Sequence, residues 1–591
     1  MSGMSDDLAQ LEAANRLADQ GLTREAMELL ASLEGFGPAH ANLALLFEQK
    51  QDLPAALHHH RRAVALMADH AQVWFNAANA LEHARQYAES EAACRQAIAL
   101  KPDFAEAWHN LGNCLQEQGR VAEADQAFRQ ALTLRPGFET ALSSHLMNLH
   151  YLPEATPEAI FEVTKQCAAR FLAHDRLTPS HPGDLGLNVN RSLKQISRAD
   201  SRAKPEPFNG SGFFRSALGQ ARIWPDEKRQ SRPLKIGLLC AYVRRHPLGS
   251  LAVAGLERLD RKHFSLTAYV NQSSLDSSAQ RLRAACNVWR EIGQLSDEAA
   301  ARQIQADKID ILIDLAGHTR GHRLGVMALK PAPVQIHWGA AYWNGPGLPA
   351  IDYLLTDRIE VPPGHPPPLL ERPLYLQDSF ACFLPPENAP PIAALPMLER
   401  GAPSFASFNR LAKLNDGVLA LWGRLMAKAP KGARLIVQAH AFDDMAVQAR
   451  FLERLAVRGI DATQVELIGA LAPDDVLKAY AKADIVLDSF PWSGSIVTLE
   501  ALFMGLPVVT WPHPTIAGRH SASFLTTLGE TGWIATNEDD YLAKALDLVS
   551  DAKRLAGIRQ GLRDRLLASP LCDAARFAQN LEAALLLAWE G

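Results

Sequence analysis

No run in this chain approaches eighteen uninterrupted apolar residues, so nothing in it reads as a membrane-spanning helix. It has no basic excess either. Its 60 Lys and Arg against 65 Asp and Glu leave a formal net charge of −5, which argues against nucleic acid as a partner. Cysteine is sparse and scattered. The seven residues Cys94, Cys114, Cys167, Cys240, Cys286, Cys382 and Cys572 fall at neither metal-ligand nor redox spacing, and a reducing cytoplasm is the compartment expected. The first residues, Met-Ser-Gly-Met-Ser-Asp-Asp, are polar and acidic, unlike a secretory leader. No Gly-x-Gly-x-x-Gly follows the first apolar strand, which counts against a dehydrogenase, and no Walker A motif is present. What is there is 591 residues, 48% hydrophobic and 21% charged, enough chain for three or four globular domains.

The first part is periodic. Trp74 and Trp108 stand 34 residues apart, as do Pro102 and Pro136. In Ala105–Phe138, residues Trp108, Leu111-Gly112, Ala124, Phe128, Ala131 and Pro136 fall on the tetratricopeptide pattern. Ala71–Phe104 keeps Trp74, Leu81, Ala97 and Pro102, and Gly37–His70 keeps Leu43-Ala44, Phe47, Ala56 and Ala63. A weaker copy lies near residues 5–36. Stacked helical hairpins of this kind bury a shared core and leave a concave face for a protein or peptide. Asn76, Asn79, Asn110 and Asn113, with His109, sit at first-helix positions suited to bonding a bound peptide's backbone; the plain alternative is a solvated face.

Further helices are expected over Ala141–Leu149 and Thr156–His174. Residues 176–232, rich in Pro, Ser, Gly, Arg and Asn, read as a linker with one helix near 212–221. From Leu234 apolar runs alternate with helical stretches. Strands are expected at Leu234–Leu239, Ser265–Val270, Ile309–Leu315 and Val334–Trp338, with a helix near Gly249–Leu259. After the proline-rich crossings Val361–Pro368 and Pro385–Pro396, a second set follows at Ser404–Phe408, Arg434–Gln438, Val465–Ile468, Ile485–Asp488 and Pro507–Trp511. Two doubly wound domains fit this grammar, with ligands at the carboxyl ends of strands.

The candidate chemistry falls at those ends. His246, in Arg244-Arg245-His246-Pro247, and His318, in Gly317-His318-Thr319-Arg320-Gly321, follow strands of the first set and suit contact with a sugar; the alternative for each is a loop histidine. Phe408-Asn409-Arg410-Leu411-Ala412-Lys413 presents a lysine able to neutralise a leaving phosphate, rather than an ordinary surface lysine. In Ala483–Thr510 a buried strand leads through Trp492-Ser493-Gly494-Ser495 into a helix that carries Thr498 and Glu500. Its start offers free backbone N–H groups to a phosphate, and Glu500 is placed to take the hydroxyls of a ribose. Arg519 is positioned to support the phosphate region.

Together these residues resemble the family that joins tetratricopeptide repeats to a two-domain glycosyltransferase: the protein O-linked N-acetylglucosamine transferases and the SPINDLY proteins. The resemblance is carried by Ile236-Gly237 with His246-Pro247, by Asp310 through Thr319, by Pro331–Gln335 with Ile351-Asp352-Tyr353, by Ser407-Phe408-Asn409 with Leu411 and Lys413, and by Leu487 through Thr510. Ala568–Asp573 and the last helix are similar to the bacterial branch. The resemblance implies an α-solenoid followed by a GT-B fold of two Rossmann-like domains. The boundaries expected are 1–175 for the repeats and following helices, 176–232 for the linker, 233–385 for the acceptor-side domain and 386–591 for the donor-side domain.

It further implies an inverting, metal-independent transferase that moves a sugar from a nucleotide-sugar co-substrate, UDP-GlcNAc by family default, to Ser or Thr of a protein held by the repeats, with no bound cofactor. His246 then matches the active-site histidine, Lys413 the lysine at the donor phosphates, Gly494–Thr498 the diphosphate-binding helix start, and Glu500 the ribose acid; Asn409 and Arg410 belong to the donor loop. The family's turn carries several threonines where this chain has Ile496-Val497, and Tyr342–Gly347 is about one residue longer than its counterpart. A bacterial subset of similar architecture glycosylates flagellin from CMP-linked nonulosonic acids, and such a monophosphate donor fits the Ile-Val replacement. A repeat scaffold with an idle transferase half is the alternative of another class.

Overall fold

The computed structural model describes residues 2–172, 232–241, 247–271, 276–319, 321–339 and 344–591. The helix expected near 212–221 and His246 lie outside the described residues. The described chain gathers into two compact units, Met1–Pro153 with Ser404–Val476 and Glu154–Pro403 with Leu477–Gly591. No helix among the described residues is long and apolar enough to cross a membrane.

The first unit opens with nine helices: α1 (Ser2–Asp19), α2 (Thr23–Ala31), α3 (Gly37–Gln49), α4 (Leu53–Leu66), α5 (Ala71–His83), α6 (Tyr87–Leu100), α7 (Ala105–Glu117), α8 (Val121–Leu134) and α9 (Glu139–Leu149). They pair as hairpins in the expected register. Ala124, Phe128 and Ala131 of α8 are fully buried. A Cβ on Gly112 would lie 2.5 Å from the Phe128 ring, so the small residue is what lets α7 and α8 meet. The two tryptophans repeat one bond: Trp74 Nε1 donates to Ala68 O at 2.8 Å and Trp108 Nε1 to Pro102 O at 3.0 Å. Each ties the start of a hairpin to the loop before it.

The second unit begins with α10 (Pro157–Leu172). Its sheet comprises β1 (Leu234–Cys240), β2 (Phe264–Val270), β3 (Val288–Glu291), β4 (Ile311–Asp314), β5 (Val334–Trp338), β6 (Tyr353–Thr356) and β7 (Arg372–Tyr375), ordered β3-β2-β1-β4-β5-β6-β7. Every pair is parallel. The order reverses between β1 and β4, the switch point where ligands of doubly wound sheets collect. Central strands are buried on both faces and so read as continuous apolar runs. The helix expected over Gly249–Leu259 is instead two short pieces, Pro247–Leu251 and Val253–Leu256.

Three more parallel strands, β8 (Ser404–Ser407), β9 (Arg434–Gln438) and β10 (Val465–Ile468), belong to the first unit, in the order β10-β9-β8. The last two, β11 (Ile485–Leu487) and β12 (Val508–Val509), pair in parallel within the second unit. β5, β9 and β10 occupy the residues expected of them.

Candidate functional site

In the second unit, Asp488 directly follows β11 and organises the turn after it. It is 2% exposed. Its Oδ1 accepts from the amides of Ser489 (2.9 Å) and Gly494 (2.6 Å), and its Oδ2 accepts from the Thr510 hydroxyl at 2.7 Å. Tyr541 Oη donates to the Asp488 carbonyl at 2.9 Å. The carboxylate thereby folds residues 489–494 back over the strand end. It also corrects one expectation, because the Gly494 amide is spent on Asp488. Gly494 itself is required, since a Cβ there would overlap the Thr498 hydroxyl.

The helix Ile496–Phe503 starts at Ser495, which makes no side-chain cap. The amides of Ser495, Ile496 and Val497 donate to no acceptor among the described residues. Three bare N–H groups at the positive end of an eight-residue helix are a place for an anion. The Thr498 hydroxyl is committed to Ser521 Oγ at 2.8 Å, and Ser521 Oγ donates to Gly494 O at 3.2 Å. Of the two hydroxyls counted for donor contact, that of Ser495 remains available. Half-buried Glu500 lies one turn further on, its carboxylate accepting from Tyr480 Oη at 3.2 Å.

Residues 511–523 fold against this turn, with Ser493 N and Oγ both donating to Ala517 O at 3.0 Å. Phe490, Trp511 and His513 pack as a ring cluster, with His513 parallel to Phe490 at 5.2 Å and 4.6 Å from Trp511. His513 Nε2 and Arg519 Nε are buried donors or acceptors without a partner among the described residues. Burial and then the Arg519 charge bring the His513 pKa down to about 4, and burial lowers that of Arg519. Arg519 Nη1 reaches Ile359 O at 3.4 Å, and His520 pairs through Nδ1 with Glu360. His513 is absent from the expected site residues. Its signal in the sequence is a histidine held between two prolines, Pro512 and Pro514, directly after a buried strand.

His318 lies after β4 as expected, but it is 3% exposed and its Nε2–H donates to Pro346 O at 2.9 Å. Burial, then the neighbouring His322, lowers its pKa to about 3, so the ring is neutral. Its turn is held by buried Asp314, which accepts from Gly317 N at 2.9 Å and binds His337 Nδ1 at 2.8 Å.

The other expected donor residues belong to the first unit. Buried Asn409 faces Ser407 Oγ at 3.4 Å, Arg410 is exposed, and Lys413 is half-buried at the end of the 3-10 turn Leu411–Lys413. On the repeats, Asn110 donates to Asn79, and Gln72 donates to Asn76 at 2.9 Å; Asn113 is half-buried one turn along α7. Asn79 and Asn110 thus already hold each other, and a peptide would compete for part of their capacity. Among the described residues no cluster of three or more His, Cys, Asp or Glu is arranged to hold a metal ion.

Comparison with known proteins identifies the family. A model described as glycosyl transferase family 41 matches residues 220–382 and 396–581. Tetratricopeptide models match 71–104 and 105–138. The chain is 35% identical over 410 residues to a Petunia hybrida protein described as a probable UDP-N-acetylglucosamine--peptide N-acetylglucosaminyltransferase SPINDLY, which covers 68% of this chain and 44% of that one. It is 26% identical over 375 residues to the Arabidopsis thaliana protein described as the probable transferase SEC, across 60% of this chain and 37% of that one. The chain therefore spans less than half the length of these curated relatives. A solved structure of a mutant Thermobaculum terrenum O-GlcNAc transferase superposes with a TM-score of 0.77 at 30% identity, covering 94% of this chain and 97% of that one.

Proposed function

The chain belongs to glycosyl transferase family 41, and we propose that it transfers a sugar from a nucleotide-sugar donor to a Ser or Thr hydroxyl of a protein held by its repeats. The observation that carries the reading is the row of bare amides at Ser495, Ile496 and Val497. The acceptor hydroxyl oxygen attacks the anomeric carbon as the bond to the donor phosphate breaks. A single displacement from the opposite face inverts that carbon. Charge accumulates on the departing phosphate, and fixed dipoles plus the Lys413 ammonium stabilise it without a metal ion or a bound cofactor. Glu500 takes the ribose hydroxyls, and His246 orients a reacting group. UDP-N-acetylglucosamine is the first donor to test, because the relatives named above carry it in their descriptions.

A second donor reading has its own observation. Ile496 and Val497 bring no hydroxyl, and that of Thr498 is occupied by Ser521. A CMP-linked acidic sugar presents one phosphate and needs fewer donors, which fits a flagellin-type acceptor. Calorimetric titration with UDP, GDP and CMP decides between them. Tightest binding of UDP supports the first reading and tightest binding of CMP the second. Binding of none returns the protein to a repeat scaffold. Intact-mass analysis of a co-expressed acceptor then identifies the sugar.

A further inference from the structure

Three hairpin turns of the solenoid are built alike. Gln51, Arg85 and Gly119 stand 34 residues apart and all have positive φ, at 61°, 59° and 75°. Each amide donates at 2.9 Å to the carbonyl three residues back, and the next amide returns five residues, to Phe47, Leu81 and Leu115. This is a left-handed helix end, where glycine is the usual choice. Yet the first two turns carry Gln and Arg in that conformation, so the backbone alone does not demand glycine at the third.

Surroundings explain it. Gln51 and Arg85 are exposed, whereas Gly119 is buried. A Cβ on Gly119 would meet the Leu411 carbonyl oxygen at 2.8 Å and Arg454 Nη1 at 3.2 Å. Gly21, another turn glycine of the solenoid with φ +79°, has nothing within 4 Å of that position. Leu411 begins the 3-10 turn that ends at Lys413. The same strip of the solenoid is bolted down on either side. Arg85 Nη1 donates to Asp443 at 3.1 Å, and the Ala88 amide donates to Asp444 at 2.9 Å. Arg450 Nη1 donates to Glu91 at 3.1 Å and to Gln118. Beyond the turn, Arg454 Nη2 holds Leu414 O and Asp416, both at 3.0 Å.

We propose that Gly119 is a positioning residue for the Asn409–Lys413 loop: the turn between α7 and α8 is the surface on which that loop is set. The repeats then do more than receive an acceptor; they fix the height of a donor-side loop. The proposal rests on the reading of Lys413 as a phosphate contact, and displacing such a group by about 1 Å costs up to about a hundredfold in rate.

The test uses the full chain carrying Gly119→Gln, a side chain this solenoid already accommodates at Gln51. Amide exchange at Lys413 and Leu414, whose N–H groups bond Arg410 O and Leu411 O, is expected to accelerate about tenfold as that loop loosens. Affinity for whichever of UDP, GDP and CMP the unaltered protein binds most tightly is expected to fall about tenfold, with the circular dichroism of the helices unchanged. Should the glutamine prevent folding, Gly119→Ala carries the same measurements, with Gly21→Ala as the control for backbone strain without a neighbour. Lys413→Ala is run beside them. Unchanged exchange and affinity in Gly119→Gln, with binding lost in Lys413→Ala, overturns the proposal and leaves the reading of Lys413 intact. Unchanged affinity in Lys413→Ala removes that reading, and the proposal with it.

Discussion

Glu91 in the first unit and Glu371 in the second are both buried glutamates, at 6% and 3% exposure, and they are held by opposite means. Burial alone would raise the Glu91 pKa, but bonds from Arg120, Gln118 and Arg95 outweigh it and bring the value down to about 2. Glu371 accepts from the Gly347 amide at 2.8 Å, its Oε2 has no partner among the described residues, and burial pushes its pKa up. Ion pairs fasten the repeats to the segments after β8 and β9, while Glu371 is held by a backbone amide and by burial. Asp357 and Glu360 follow Glu371: burial raises both, and Glu360 is raised further by Asp357. One glutamate is held by charge, the other by burial beside a backbone amide.

The largest effects are expected at the two units' candidate-site residues, from Lys413→Ala in the first and Asp488→Asn in the second. If Lys413 meets the donor phosphate as proposed, its loss is expected to cut transfer about a thousandfold, measured by sugar incorporation into a co-expressed acceptor. Asp488 serves three donors inside the second unit. Its replacement is expected to cost about 3 kcal/mol in stability and to abolish nucleotide binding together with it. A stable Asp488→Asn that still binds nucleotide would show that the carboxylate is not what shapes the turn.

Acid comes next. Glu91 binds fewer protons folded than unfolded, so its contribution is complete above its ordinary value of 4.5 and is lost as pH falls toward about 2. That span corresponds to about 3 kcal/mol. Glu91→Gln is expected to remove it, lowering stability at pH 7 and flattening the acid limb of a denaturation profile. The smallest effect has the reverse sign. Glu371 binds more protons folded than unfolded, so its contribution is present below 4.5 and is lost as pH rises through its elevated value. Glu371→Gln, neutral at every pH, is expected to be more stable than the parent at pH 8 and not at pH 4, measured by urea denaturation.

The parts of the fold legible in the sequence were those whose burial repeats. The 34-residue period placed α5 through α8, and doubly buried strands such as β1 and β5 announced themselves as apolar runs. β3, β6 and β7 were not foreseen. β3 is an edge strand with both ends exposed, β7 is an edge strand carrying Pro373, and β6 spans four residues. At the site, the helix start and Glu500 followed from local pattern, and the bare amides of Ser495 to Val497 answer to it. The capture of the Gly494 amide by Asp488 did not, since it depends on a loop closing over six residues. His318 shows the same limit. Its place after β4 was visible, but its bond to Pro346 O joins segments 28 residues apart.

The Arg85–Asp443 and Gly119–Leu411 contacts lie one repeat apart and are engaged at once, like two teeth of a rack. A rack admits no slip. Inserting one 34-residue module between residues 36 and 37 leaves both teeth in mesh, so the solenoid can lengthen there freely. The same module inserted after Phe104 separates Arg85 from Gly119 by an extra repeat, and only one of them can then reach its groove. Length can be engineered into this array on one side of the junction and not the other.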